Sequence, residues 1–266
     1  MRNWLKYTLS TAVAMLTASL LATSCEKVES PLFEEEMVEV TFNATIDQEA
    51  TRAGEANHID ALYVEVYLNE SKVGSLIEKE VTNGVIESFS MNLIKGQRYD
   101  FVFWAQDNDC GAYSFGNPES PSLSTISINY AQSASLDKVS YRDAFYAHIS
   151  YTVIDPVVDV KLYRPFAYVV AGTNVANISN ATTMTFNKIA TKFNAFEGTT
   201  SNPTEVSINF TPNSSYTYNG HTLYGAAYVL PTNDTTTITI KSTTKTTEIS
   251  LDKLEANKRY NILGNL

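Results

Sequence analysis

From Val38 the chain alternates. Val38, Val40, Phe42, Ala44 and Ile46 fall on one parity, and Glu39, Thr41, Asn43 and Thr45 on the other. A period of two places each set on its own face of a half-buried β-strand. A polar run over 47–58, with Arg52 near its middle, ends that strand, and alternation resumes at Leu62, Val64, Val66 and Leu68. Leu76–Val81 and Val85–Leu93 flank Asn83-Gly84. That dipeptide supplies the positive φ angles of a tight turn and predicts a hairpin. Tyr99–Ala105 is apolar on both parities apart from Asp100, which predicts a central strand covered on both sides. Strands are also predicted at 123–129 and 144–151. Asp155-Pro156 then marks a boundary, because proline donates no ladder hydrogen bond and restricts the residue before it. Beyond it, Val157–Gly172 predicts a long strand kinked at Arg164-Pro165. Further strands are predicted at 183–189, 205–210, 223–230, 235–242 and 246–251, before a closing segment at 258–266. No alternating segment follows it, so no strand to spare for donation is expected. No helix-period segment appears after residue 24. The predicted fold class is all-β, with two tandem β-sandwiches over 37–155 and 156–266.

The N-terminus reads differently. Arg2 and Lys6 precede an uncharged stretch from Leu9 to Leu21, and the small residues Ala22-Thr23-Ser24 follow. This is the layout of a secretory signal peptide over residues 1–24, with an apolar run too short to span a bilayer comfortably. Small residues directly before Cys25 resemble the lipobox of bacterial lipoproteins, although Ala22 stands where that motif commonly has Leu. The resemblance implies a diacylglycerol on the Cys25 thiol and an outer-membrane anchor. An ordinary signal peptide with an incidental thiol at Cys25 is the other reading. Residues 25–36, with Pro31 and Glu34-Glu35-Glu36, have little to bury and read as a tether.

Charge and composition narrow the partners. The 266-residue chain carries a formal net charge of −10, which disfavours nucleic acid. It has two cysteines. With Cys25 lipidated, Cys110 has no intrachain disulfide partner, and the core must hold the fold. Cys110 lies in the turn-like run Asp107–Gly111 and is either a reactive thiol or a structural bystander. His58, His148 and His221 are far apart, with no His-x-x-x-His or Cys-x-x-Cys spacing, no Gly-x-Ser-x-Gly elbow and no phosphate loop. No catalytic residue, metal site or cofactor is therefore expected. Asp100 reads as a buried acid bonded to a neighbouring backbone group or hydroxyl. Trp104 reads as core, and the 16 tyrosines as packing rather than a sugar platform.

Three segments share a resemblance. The loop Thr51-Arg52-Ala53, the segment Lys161-Leu162-Tyr163-Arg164-Pro165-Phe166-Ala167, and Asn257–Leu266 resemble parts of the fimbrillin-like proteins of Bacteroidales type V pili. The resemblance implies two transthyretin-like Greek-key sandwiches and a lipoprotein of the outer membrane, cell surface or fimbrium. It implies a role as pilus subunit, anchor or tip in adhesion. Its partners would be other fimbrial subunits, engaged by strand exchange, and a host or bacterial surface ligand. It also implies processing by an arginine-specific protease between Arg52 and Ala53. The alternative is a surface lipoprotein that binds glycan or protein without polymerising.

Acyl burial contributes about 0.8 kcal/mol per CH₂, and stable anchoring takes more than one chain. Cys25→Ala is accordingly expected to move the protein out of the membrane fraction, checked by fractionation and immunoblot. Retention of the variant in the membrane would show that the anchor is not Cys25.

Overall fold

The computed structural model of the chain describes residues 35–47, 56–130, 133–174, 182–211, 215–242 and 245–265. Its strands of six residues or more are β1 (Met37–Ile46), β2 (Ala61–Leu68), β3 (Ser71–Thr82), β4 (Phe89–Ile94), β5 (Arg98–Gln106), β6 (Ala144–Thr152), β7 (Val157–Leu162), β8 (Ala167–Thr173), β9 (Thr182–Asn194), β10 (Thr199–Phe210), β11 (His221–Val229), β12 (Thr236–Lys241), β13 (Thr246–Leu251) and β14 (Arg259–Gly264). Among the described residues the helical elements are single 3-10 turns, and no helix is long and apolar enough to cross a membrane. The fold is all-β and sandwich-like, as the alternation predicts.

Four sheets carry the architecture. The first has the order β7–β1–β4, and the second β6–β5–β2–β3, extended by Val85–Ile86. The third is built on the β9–β10 pair and continues through β12 and β13. The fourth has the order β11–β8–β14, with β14 parallel to β8. Val40, Phe42 and Ala44 of β1 meet Leu62, Val64, Phe101 and Phe103 in a core between the first two sheets. A second core lies around β8, β9 and β11, with Val169, Phe186 and Val229 fully buried in it.

The second sheet serves both cores. Phe101, Phe103 and Ala105 point into the first, while Val102 and Trp104, on the opposite parity of β5, belong to the second. Trp104 is fully buried, 6.3 Å from the Phe166 ring and 5.9 Å from Phe193. This is the doubly covered central strand that the unbroken apolar run predicts. On the same face, Glu65 is fully buried, and one of its oxygens accepts from the Tyr67 hydroxyl (2.7 Å), the Ser122 hydroxyl (3.1 Å) and the Leu123 amide (2.9 Å). Lys72 Nζ lies 2.6 Å from its other oxygen. Buried charge needs this degree of pairing. Asp100 is half-buried and accepts from the Ser150 hydroxyl, with His148 Nε2 at 3.4 Å.

Three elements differ from expectation. Asn83 and Gly84 do turn at φ 52° and 72°, pairing Val81 with Ile86 and Thr82 with Val85. The hairpin then stops, and Phe89–Ile94 crosses to β1, because Phe89 and Leu93 complete the facing wall of the first core. β10 begins at Thr199, not 205, because its first half is exposed and polar and leaves no apolar signal. The predicted strand 157–172 is two strands in different sheets. Val157–Leu162 runs parallel to β1, with Val160 and Leu162 in the first core, whereas Ala167–Thr173 forms β8. The passage from one core to the other falls at 163–166.

Arg164 sits in that passage. It is 2% exposed and donates two hydrogen bonds to the carboxylate of Asp143, itself 1% exposed. Its guanidinium lies 5.0 Å from the Phe145 ring and 5.5 Å from Tyr228, one residue from each core. Burial pushes Asp143 above the usual carboxylate range, opposed by the guanidinium and the Ala144 amide. Burial is the largest influence on Arg164 and acts to lower it, but the hydrogen bonds and the charge of Asp143, joined by Tyr228 and Tyr168, together raise the group. Backbone bonds between Tyr146 and Tyr163, both 2.9 Å, close the passage from outside.

Removing one member of a buried pair strands the other charge and costs about 3–5 kcal/mol. Arg164→Ala is expected to lower the unfolding free energy by that amount in urea titration. The double variant Asp143→Ala/Arg164→Met is expected to be more stable than Arg164→Ala alone.

Candidate functional site

The part of the fold most able to change partners is β1. It lies between β7 and β4, and its pairings are staggered. Met37–Phe42 pairs antiparallel with Ile94–Phe89, and Thr41–Ile46 pairs parallel with Val157–Leu162. Only Thr41 and Phe42 are paired on both sides. Backbone bonds extend each ladder by one step: Lys95 N–H donates to the Glu36 carbonyl (2.8 Å), and Asp47 N–H to the Leu162 carbonyl (2.9 Å).

The two faces of β1 do different work. Inward, Val40 and Phe42 are fully buried and Ala44 is nearly so. The Phe42 ring lies 4.7 Å from Phe101 and 5.5 Å from Phe89, so it touches both sheets of the sandwich. Outward, polar side chains link the strand to its neighbours. Thr41 and Ser90 share a hydrogen bond (2.9 Å), Asn43 donates to Asp159 (2.9 Å) and accepts from Ser88 (2.7 Å). Lys161 pairs with Asp47 at 3.0 Å and Lys95 with Glu36 at 2.8 Å. The Lys95–Glu36 pair is exposed on both members and contributes at most about 1 kcal/mol, and the buried Asp47 of the other pair lies just beyond the strand. The grip on β1 is therefore mainly its ladders and its three apolar plugs. A sheet without it would present unpaired backbone on β4 and β7 and an apolar slot between them.

Cys25, Arg52 and Ala53, the residues singled out for lipidation and processing, lie outside the described residues. The structure describes both ends of the segment carrying Arg52, namely Asp47, held by Leu162 and Lys161, and the turn Ala56–His58. Cys110 is a half-buried free thiol. Burial pushes its pKa up, so it is held as a weakly reactive thiol. The three histidines stay apart: His58 lies against Tyr141 (4.9 Å), His148 against Phe196 (4.8 Å), and His221 Nδ1 is 3.0 Å from the Asn219 carbonyl. Among the described residues no three His, Cys, Asp or Glu side chains are placed to hold a metal ion. Sequence reasoning missed Asp143, Arg164 as a buried cation, and Glu65, because a charged residue on a strand carries no sign of the partner that will bury it.

Known proteins place this architecture. Candidate polysaccharide-binding proteins from Bacteroides thetaiotaomicron are 10% identical, with TM-score 0.57 over 85% of this chain and 90% of theirs. A candidate adhesin from Bacteroides ovatus is 12% identical, with TM-score 0.55 over 90% of this chain and 91% of its own. The fimbrial anchor protein Mfa2 from Porphyromonas gingivalis is 14% identical, with TM-score 0.51 over 81% and 82%. At these identities the likeness is one of fold. No protein of curated function matches the chain. The profile of one family runs from residue 33 to residue 266, and by that match the chain belongs to the family of unknown function DUF6562.

Proposed function

We propose that this chain is a cell-surface adhesion protein of the fimbrial type, a type V pilus subunit or its anchor or tip, secreted as a lipoprotein through Cys25. The observation that carries this reading is the seat of β1. A strand that plugs a core with Val40, Phe42 and Ala44 is tied to the rest through one polar segment that contains Arg52. Cleavage between Arg52 and Ala53 would release lipid and strand together. It would leave a slot that a strand from another subunit could fill by β-augmentation. The fold shared with a fimbrial anchor protein and a candidate adhesin supports the same reading. The partners are then other fimbrial subunits by strand exchange, the outer membrane through the lipid, and a surface ligand. We assign no catalytic role.

A second reading is a lipoprotein that keeps β1, does not polymerise, and binds glycan or protein at the cell surface. The fold shared with candidate polysaccharide-binding proteins favours it.

Arg52 separates a polymerising subunit, which sheds its lipid, from an anchor or a non-polymerising lipoprotein, which keeps it. For a polymerising subunit, the surface form of the wild type begins at Ala53 and gives a ladder on native gels, and Arg52→Ala abolishes both. N-terminal sequencing and native electrophoresis check this. If wild type and variant both begin at Cys25 and migrate alike, β1 is not exchanged and the chain is no polymerising subunit, which leaves a lipid-held anchor or the second reading.

A further inference from the structure

Away from β1, the segments 107–111 and 134–142 enclose a cavity of about 480 Å³, within the size range of small-ligand sites. Asp107 lines it and is 6% exposed, and its Oδ1 has no hydrogen-bond partner among the described residues. A buried acceptor left this way costs about 1–3 kcal/mol or more and calls for a donor from outside. Burial, with repulsion from Asp60, raises the Asp107 pKa above the usual carboxylate range, opposed by the backbone amides of Cys110 and Asp109.

The turn that carries Asp107 is braced from the core. The Trp104 indole donates to Gln106 Oε1 (2.8 Å), and Gln106 Nε2 donates to Asn108 Oδ1 (3.0 Å). Tyr63 donates to the same oxygen (2.7 Å), and Asn108 N–H donates to Asp60 (2.8 Å). Gly111 closes the turn at φ 61°. On the opposite wall Tyr141 is 44% exposed, its ring 4.9 Å from His58, which steadies it. Asp107 and Asp109 are matched by Lys138 and Arg142 on the lining, and the Cys110 thiol is neutral.

Those features select a ligand. Balanced charge gives no attraction for a strongly charged molecule, and the carboxylates do not reach the number needed to chelate a cation. Carboxylates (Asp107, Asp109) and donors (Ser135, Lys138, Arg142) both line the wall, together with the exposed Tyr141. A neutral polyhydroxylated ring matches this, with its C–H face on the aromatic ring and its hydroxyls bridging both kinds of group. We propose that this cavity binds a neutral sugar ring, stacked on Tyr141 and hydrogen-bonded through its hydroxyls to the polar side chains of the lining, Asp107 among them. Binding here needs no assembly and leaves β1 in place.

The test is saturation-transfer NMR on the mature full-length chain. The probes are methyl glucopyranoside, galactopyranoside, mannopyranoside and xylopyranoside, and methyl N-acetylglucosaminide. Transfer to ring protons of at least one is expected. Tyr141→Ala and Asp107→Asn should each weaken it about tenfold or more, while Tyr163→Ala, exposed elsewhere, should leave it unchanged. Tyr141→Ala removes an exposed side chain, so its effect is readable even if Asp107→Asn perturbs folding. Absence of transfer from all five probes, or transfer undiminished in Tyr141→Ala, overturns the site. Neither result depends on whether Arg52 is cleaved, so failure here and failure of the pilus reading are distinct.

Discussion

The buried pair of Arg164 and Asp143 sets the direction of the chain between its two cores. Apolar burial is strong but non-directional, and two oily faces can meet in many ways. A guanidinium that must find a carboxylate in the plane of its fork, away from water, has far fewer solutions. Asp143 stands just before β6, and Arg164 just after β7 and before Pro165. Their bond brings the entry and exit of that segment together at one buried point. The rings of Phe145 and Tyr228 on the guanidinium extend the link into both cores. Tyr168 stacks on Tyr228 at 4.6 Å, and Arg259 lies over Tyr168 and Tyr218 at 5.3 and 3.8 Å, so alternating cations and rings carry the link out to β14.

The second sheet depends on this arrangement because it is covered on both faces. Its strand β5 sends Phe101 and Phe103 one way and Val102 and Trp104 the other, so neither core can shift without moving the other's wall. The same strand ends in Gln106, whose amide accepts from Trp104 and donates to Asn108. A hydrogen-bonded line thus runs from the buried Trp104 indole to Asn108, the neighbour of Asp107 on the cavity lining. The rim is positioned by the core and not by its own loop, which is what a binding surface requires.

β1 is the contrasting element. It contributes three plugs to a core built mostly by other strands, and its ladders are staggered so that each neighbour holds only about half of it. A strand held this way is stabilising but separable in principle, since the side chains around its slot, Phe101 and Phe103 among them, are fixed from the other sheet. The cavity at Asp107 and the slot of β1 lie on different elements, so subunit assembly and ligand binding can coexist in one chain.

The all-β class, the identity of β1, the Asn83-Gly84 turn and the double covering of Tyr99–Ala105 were legible in the residues, because local alternation reports directly which faces are apolar. The segment around Arg164-Pro165 was legible as a landmark but not as a mechanism. Val157–Leu162 alternates around Asp159 and Lys161, and Ala167–Gly172 is uncharged throughout, but nothing in either pattern reveals that the first lies beside β1 and the second beside β11 and β14. Strand partners more than a hundred residues apart, such as Thr41 and Val157, are chosen by the assembled cores. The same holds for burial of charge: Glu65 and Asp143 look like any surface acid until Lys72 and Arg164 arrive from elsewhere in the chain. The cavity at Asp107 was invisible for this reason too, because its walls come from two segments that only tertiary packing brings together. Periodicity in the chain settles what each face wants, and the three-dimensional fold settles which face it meets.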